Sequence, residues 1–183
     1  DAFDCAPEDP TRAPGFDERC GNSVDEDCDA STDEADCLDV RFVDVDSGAA
    51  MPNGLNWTTA YTTPQAGIDA CEVRLGQTNP PAACEVWTAE GTYYVYASAG
   101  TDTVQLKANV HLYGGFAGTE GARDARDWAT HVTTLTGYSS DITSRVYHVT
   151  SGADDAVLDG FTVRDGFANA AYPDDSSAGI FLI

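Results

Sequence analysis

The segment "AVLDGFTVRDGF", residues 156–167, contains two short apolar stretches, and each ends in the same Asp-Gly-Phe corner. The stretches are too short for helices, and their Val, Leu, Thr and Phe content is typical of β-strands. A related corner, "YGGF", closes another apolar stretch at residues 113–116. A corner that recurs between short strands indicates a chain that turns in a similar way several times.

Short β segments fill the chain from about residue 85 onward. They are "EVWTAEGTYYVY" (85–96), "TVQLKANVHLYGGF" (103–116), "VTTLTGY" (132–138), "RVYHVTSG" (145–152), "AVLDGFTVRDGF" (156–167) and "AGIFLI" (178–183). Many short strands are typical of a sandwich, a barrel or a solenoid. The irregular step of roughly 20–25 residues lies in the range of coil repeats and favours the solenoid.

A strand and a single helix are predicted ahead of these segments. "LDVRFVDVDSG", residues 38–48, alternates apolar and polar residues as a strand does. Thr63 is a candidate N-cap with Pro64 at the first helical position, and apolar residues follow at helical spacing: Ile68, Cys71 and Leu75. The sequence therefore predicts a mainly β protein with one helix near its start.

The formal net charge of −22 is unevenly distributed. Residues 1–39 hold 14 Asp and Glu residues against Arg12 and Arg19. This field repels nucleic acids and anionic membranes and attracts cations, so nucleic acid is not an expected partner. No apolar run is long enough to cross a bilayer, so no membrane span is expected either.

The chain has an even set of six cysteines: Cys5, Cys20, Cys28, Cys37, Cys71 and Cys84. None has the C-x-x-C spacing of zinc ribbons or thioredoxin-like redox sites. Four of them lie in a hydrophilic segment that could hardly fold without crosslinks. We expect three disulfides and a secreted or cell-surface protein, although spacing alone leaves the pairing open.

Asp25, Asp27 and Asp29 alternate with other residues, and Asp33, Glu34 and Asp36 follow them. Read as a twelve-residue loop, the ligand positions are Asp25, Asp27, Asp29, Ser31, Asp33 and Asp36. Such alternation suits calcium, which takes about six to eight hard oxygen ligands. The predicted metal ligands are Asn22 (through its carbonyl), Asp25, Asp27, Asp29, Asp33, Glu34 and Asp36. Copper, zinc and iron are disfavoured because residues 1–39 contain no His or Met.

Two departures argue against an EF-hand and for a compact, disulfide-pinned calcium loop. Ala30 stands in place of the turn glycine, and Asp36 in place of the long bidentate Glu. The flanking residues also lack the pattern of amphipathic helices. The alternative interpretation is a solvated acidic linker that binds nothing.

The segment "APGFDERCGNSVDEDCDASTDEADC", residues 13–37, resembles a metal-binding motif that is repeated in secreted bacterial surface proteins. The matching residues are Pro14, Gly15, Glu18, Cys20, Gly21, Val24, Asp25, Asp27, Cys28, Asp29, Asp33 and Glu34. The acids that normally precede this motif are replaced by Ala6 and Pro7. The resemblance implies a calcium-type site and a Cys20–Cys28 bridge, and we expect Cys5–Cys37 and Cys71–Cys84 beside it.

A second resemblance covers residues 40–168. "GLNWTTAYTTPQAGIDAC", "EVWTAEGTYY", "QLKANVHLYGGFAGTEGARDARDW", "TTLTGY" and "YHVTSGADDAVLDGFTVRDGFA" follow the order seen at the start of right-handed parallel β-helix domains of bacterial surface and autotransporter-like proteins. The resemblance implies a β-helix whose N-terminal end is plugged by the helix. We therefore expect two units: a disulfide-stapled acidic calcium-type head (1–39), and the α-helical cap with the first β-helix rungs (40–183).

These expectations lead to a structural or adhesive surface protein, stabilised by calcium and disulfides and assembling into fibres. The terminal "SAGIFLI" suggests either a piece of a longer β-helix or an end covered by another subunit. Expected partners are calcium, further copies end to end, and a surface or matrix carbohydrate or protein. The alternative is the N-terminal portion of a polysaccharide lyase or hydrolase, and a third hypothesis is a module that captures a soft metal.

No catalytic residue is assigned in this sequence. The enzyme hypothesis would draw on carboxylates and cations of the β segments: Lys107, Asp154, Asp155, Asp159, Arg164 and Asp165. Each has a simpler interpretation in a turn or a local ion pair, because turns favour Asp without any chemistry.

Overall fold

The computed structural model describes residues 5–9, 12–14, 24–25, 27–30, 38–77, 80–171 and 177–181. These residues form a mainly β protein with one α-helix, α1 (Pro64–Leu75). The strands are β1 (Asp39–Val43), β2 (Cys84–Ala89), β3 (Gly91–Tyr94), β4 (Val104–Gln105), β5 (Val110–Phe116), β6 (Thr133–Thr136), β7 (Thr150–Ser151), β8 (Val157–Asp159), β9 (Phe161–Arg164) and β10 (Ile180–Phe181). Within the described ranges, no helix has the length and apolarity that a membrane crossing requires.

The strands form three sheets in which every pair of neighbours is parallel. Sheet 1 has the order β1-β2-β5-β8, sheet 2 the order β3-β6-β9, and sheet 3 the order β10-β7-β4. From β2 onward the chain visits sheets 1, 2 and 3 in turn, three times over. From β5 onward, each strand pairs with the strand that lies three positions earlier in the chain, while β2 pairs with β1.

Helix α1 confirms the prediction made from its capping residues. Thr63 has an extended backbone, and its Oγ1 accepts a hydrogen bond from the Ala66 amide at 3.4 Å. Pro64 occupies the first helical position, where its missing N–H has no cost. A Cβ atom on Gly67 would lie 2.8 Å from Val86 Cγ1 and 2.9 Å from Val43 Cγ2. The helix therefore rests directly against β1 and β2.

A disulfide between Cys71 and Cys84 fixes α1 to the start of β2, as predicted. Both residues are fully buried, and their Cα atoms are 5.5 Å apart. This separation lies within the usual range for a disulfide.

None of the predicted β segments is strand over its whole length. Residues 103–116 divide into β4 and β5, and only Thr150–Ser151 is strand within residues 145–152. The Val146 amide donates instead to the Gly137 carbonyl, and the Tyr147 amide to the Gly100 carbonyl. These amides donate to loop residues rather than to a neighbouring strand. The apolar sequence pattern therefore extends over residues that form no strand hydrogen bonds there.

Two apolar clusters lie on opposite faces of sheet 1. The inner core draws on strands of all three sheets: its members include Val86, Val110 and Leu112 (sheet 1), Tyr93 and Leu135 (sheet 2) and Val104 (sheet 3). The outer cluster contains Val40, Phe42, Ala60, Trp87 and Phe116, with Leu38, Trp57 and Tyr113 packed against it. Because side chains alternate along a strand, sheet 1 is apolar on both faces.

Gly115 is a position where only glycine fits. Its φ is +95°, and a Cβ would lie 2.6 Å from Trp128 Cα and 2.8 Å from the Trp128 amide nitrogen. Gly115→Ala is therefore expected to lower the free energy of unfolding by roughly 1–3 kcal/mol. Urea denaturation would measure the change. Gly48→Ala is the control, since no atom lies within 4 Å of its added Cβ; equal losses in both variants would contradict the prediction.

Candidate metal centre

Three of the predicted ligands lie together in the structure. The carboxylates of Asp25, Asp27 and Asp29 each offer one oxygen, and these oxygens all lie within 4.8 Å of one another. Asp25 and Asp27 are half-buried, and Asp29 is exposed. Among the residues that the structure describes, this is the only group of three or more His, Cys, Asp or Glu side chains that lie close enough together to hold a metal ion.

The loop places these carboxylates together through two left-handed residues, Cys28 with φ +62° and Ala30 with φ +78°. The Asp29 amide donates to Asp27 Oδ1 at 3.1 Å, and the Ala30 amide donates to Asp25 Oδ2 at 3.2 Å. The aspartate side chains thus accept hydrogen bonds from backbone amides of the turn that they line. This is a common use of Asp side chains where the chain reverses.

A disulfide between Cys5 and Cys28 fixes the loop to an earlier part of the chain, with Cα atoms 5.5 Å apart. The predicted pairings Cys20–Cys28 and Cys5–Cys37 are therefore both wrong. The physical reason is that residues 5–9 return to the aspartate loop, a long-range contact that cysteine spacing does not encode. Cys20 and Cys37 lie outside the described residues.

Arg12 makes a further contact that the sequence analysis missed. Its Nε donates to the Asp25 carbonyl at 2.9 Å, and its Nη2 lies 3.5 Å from Cys5 Sγ. The guanidinium therefore joins the disulfide to the first aspartate. The sequence offers only a weak signal for this contact, since Arg12 is merely one of two cations in a segment with 14 acidic residues.

The donor set fits a hard cation. All three side chains offer oxygen ligands, which calcium prefers. Asp25 Oδ1 is buried and accepts no hydrogen bond from the described residues, so this oxygen keeps its full capacity to bind a cation. Neighbouring carboxylates also repel one another, and a bound cation would relieve that repulsion.

The loop as described supplies only part of a calcium shell. The remaining predicted ligands, Asn22, Asp33, Glu34 and Asp36, lie outside the described residues, as does Ser31. A complete set of about six to eight oxygens would therefore need residues beyond the triad, or water.

Three of the six residues weighed for catalysis have the following structural partners. Asp159 pairs with Arg126, and this hydrogen bond holds the pKa of the Asp159 carboxyl below its usual range. Asp165 Oδ2 accepts from Thr136 Oγ1 at 2.9 Å, and Lys107 Nζ lies 3.2 Å from Glu72 Oε1. These contacts place the side chains in separate ion pairs and turns rather than in one constellation.

Ala30→Gly is expected to stabilise the aspartate loop. A non-glycine residue in the left-handed region costs about 1–2 kcal/mol, and glycine removes that strain. Local opening should expose the Arg12–Ala13 bond to trypsin, so the variant should be cleaved there roughly fivefold more slowly in chelator. Mass spectrometry of the fragments would measure the rate.

Ala122→Gly is the matched control, because Ala122 has φ −135° and lies outside the head. This control should leave cleavage at Arg12 unchanged. Faster cleavage of Ala30→Gly than of the parent protein would contradict the described conformation of the loop.

No protein-family model matches this chain, and no similar curated protein or solved structure was found for it.

Proposed function

We propose that this chain is a secreted structural or adhesive protein, in which a calcium- and disulfide-stabilised head precedes a right-handed parallel β-helix. The observation that carries the proposal is the order of the strands: the chain passes through three parallel sheets in turn, three times, around one shared apolar core. A solenoid built in this way presents a long, regular surface, which suits a scaffold or an adhesin.

Helix α1 supports the same interpretation. It packs against β1 and β2 at the beginning of the sheet order and is joined there by the Cys71–Cys84 bridge. A β-helix needs such a cover because an open end exposes unpaired backbone groups. At the opposite end of the described sheets lie β8, β9 and β10, and end-to-end association through these strands stays a prediction.

The disulfides support an extracellular location, and the aspartates of the head support calcium as the bound cation. Two described disulfides are compatible with an oxidising, extracellular location. The Asp25, Asp27 and Asp29 carboxylates would hold calcium, with the Cys5–Cys28 bridge and Arg12 keeping their loop in place. Calcium would neutralise the three carboxylates and hold them together, which is a structural role.

Calcium is expected to stabilise the unreduced protein. At a hundredfold excess over the dissociation constant, binding contributes about 2.7 kcal/mol, which corresponds to a midpoint rise of roughly 5–10 °C. Thermal melts in millimolar calcium and in chelator would measure the rise. Trypsin cleavage at Arg12 should also slow in calcium, and this second readout reports on the head even if the β region melts separately.

The variant Asp25→Asn/Asp27→Asn should lose both calcium effects, whereas Asp154→Asn, which removes an exposed acid outside the head, should keep them. An equal response of the two variants would mean that calcium acts only by screening the net negative charge. No response of the parent protein in either readout would leave the head an acidic linker and remove calcium from the proposal.

A further inference from the structure

Trp128 is exposed to an unusual degree. Its relative exposure is 63%, whereas Trp87 is buried at 1% and Trp57 is half-buried. Tryptophan is highly buried on average, and Val132, which lies beside Trp128, is 50% exposed. A contiguous exposed apolar patch of this kind often marks a contact site.

Trp128 lies in a turn that several hydrogen bonds stabilise. The Asp127 carboxylate accepts hydrogen bonds from the Ala129 amide at 3.0 Å and from Thr130 Oγ1 at 2.7 Å. The Asp127 amide donates to the Gly115 carbonyl at 2.8 Å, which anchors the turn to β5. The backbone that carries the indole is therefore held in one conformation, which lowers the cost of ordering the turn when a ligand binds.

The indole borders a shallow groove with a volume of about 390 Å³. The groove is lined by Trp128, Val132, Asp159, Gly160, Phe161 and Thr162. Its volume lies at the lower end of the range for small-molecule sites. The lining therefore combines apolar and aromatic side chains with a carboxylate, a threonine and a glycine.

The carboxylate of the groove, Asp159, is held in place by Arg126. This guanidinium pairs with Asp159, donates to the Gly114 carbonyl at 3.1 Å and lies 4.9 Å from the centre of the Tyr113 ring. The Asp159 side chain stays 52% exposed, so its carboxylate can also accept hydrogen bonds from a ligand. Since Arg126 lowers the pKa of Asp159, this acceptor is ionised at neutral pH.

We propose that this groove binds a neutral oligosaccharide. The Trp128 indole would stack on the C–H face of a sugar ring, and Asp159 and the nearby backbone would bond its hydroxyl groups. An acidic glycan or a nucleotide would be repelled by Asp159 and by the net charge of −22. The inference goes beyond the calcium-stabilised scaffold and does not depend on the head.

Affinity electrophoresis of the unreduced protein tests the proposal, in gels containing starch, hydroxyethyl cellulose, laminarin or galactomannan, with polygalacturonate as the acidic comparison. At least one neutral polysaccharide should retard the protein. Trp128→Ala should weaken that retardation about tenfold or more, and Trp128→Phe should retain most of it because it keeps an aromatic face. Met51→Ala is the matched control, since Met51 is 86% exposed and does not line the groove.

Two results would each overturn the proposal: no retardation by any neutral polysaccharide, whether or not polygalacturonate retards the protein, or equal retardation of the parent protein and Trp128→Ala. A thermal melt would establish that Trp128→Ala remains folded. The gels would be run both in calcium and in chelator, so that a failure of the head to bind calcium is seen separately from a failure of the groove to bind sugar.

Discussion

Trp87→Ala is expected to lower the free energy of unfolding by about 3–5 kcal/mol, the usual cost of deleting a buried tryptophan. Trp87 lies at the centre of the outer cluster on sheet 1 and is 1% exposed. Its ring stacks on Phe116 with centroids 5.0 Å apart and meets the edge of Phe42 at 5.5 Å. Truncation would leave a cavity that neighbours on β1, β2 and β5 cannot readily fill.

The polar end of Trp87 adds to this loss. Its Nε1 donates to Glu85 Oε2 at 2.6 Å, while Glu85 Oε1 lies 2.5 Å from Arg123 Nη1. Since Glu85 is only 3% exposed, an alanine at position 87 would leave a buried carboxylate oxygen without its donor.

Chemical denaturation followed by circular dichroism would measure the effect of Trp87→Ala. Trp128→Ala is the matched control: it deletes the same side chain from an exposed site and should change stability by only about 0.5 kcal/mol. Similar losses in the two variants would contradict the described outer cluster.

Asp39→Asn is the second substitution with a large expected effect, a loss of about 3–5 kcal/mol. The Asp39 side chain is 1% exposed and lies between two cations, with Oδ1 2.7 Å from Arg41 Nη1 and Oδ2 2.6 Å from Arg74 Nε. Arg74 belongs to α1 and Asp39 to β1, so this pair joins the helix to the first strand. Asparagine preserves the shape of the side chain and removes the charge that both guanidinium groups need.

Urea denaturation would compare this variant with Glu72→Gln. Glu72 pairs with Lys107, but the two side chains are 54% and 28% exposed, so that pair should contribute only about 0–1 kcal/mol. High salt should leave the Asp39→Asn loss largely unchanged, because buried pairs are screened little. An Asp39→Asn loss no larger than that of Glu72→Gln would show that Asp39 is solvated in solution.

The local elements of this protein could be predicted because their signals lie within a few residues. Thr63 and Pro64 define the start of α1, and β1 lies within the segment 38–48, where apolar and polar residues alternate. The spacing of Asp25, Asp27 and Asp29 likewise placed three carboxylates on one loop, where the structure has them. Each of these signals acts through neighbouring backbone atoms, so distant parts of the chain do not alter it.

The residue pairings beyond this local range were decided only by the tertiary structure. Cys28 bonds Cys5, although nothing in its spacing distinguishes Cys5 from the other cysteines, and Arg12 joins the same loop from a separate segment. Similarly, the sequence does not show that Trp87 is buried while Trp128 stands in solvent. The sequence by itself determined the helix, the β character and the acidic loop. Partners and burial were left to the tertiary structure, because they depend on which distant segments pack against each other.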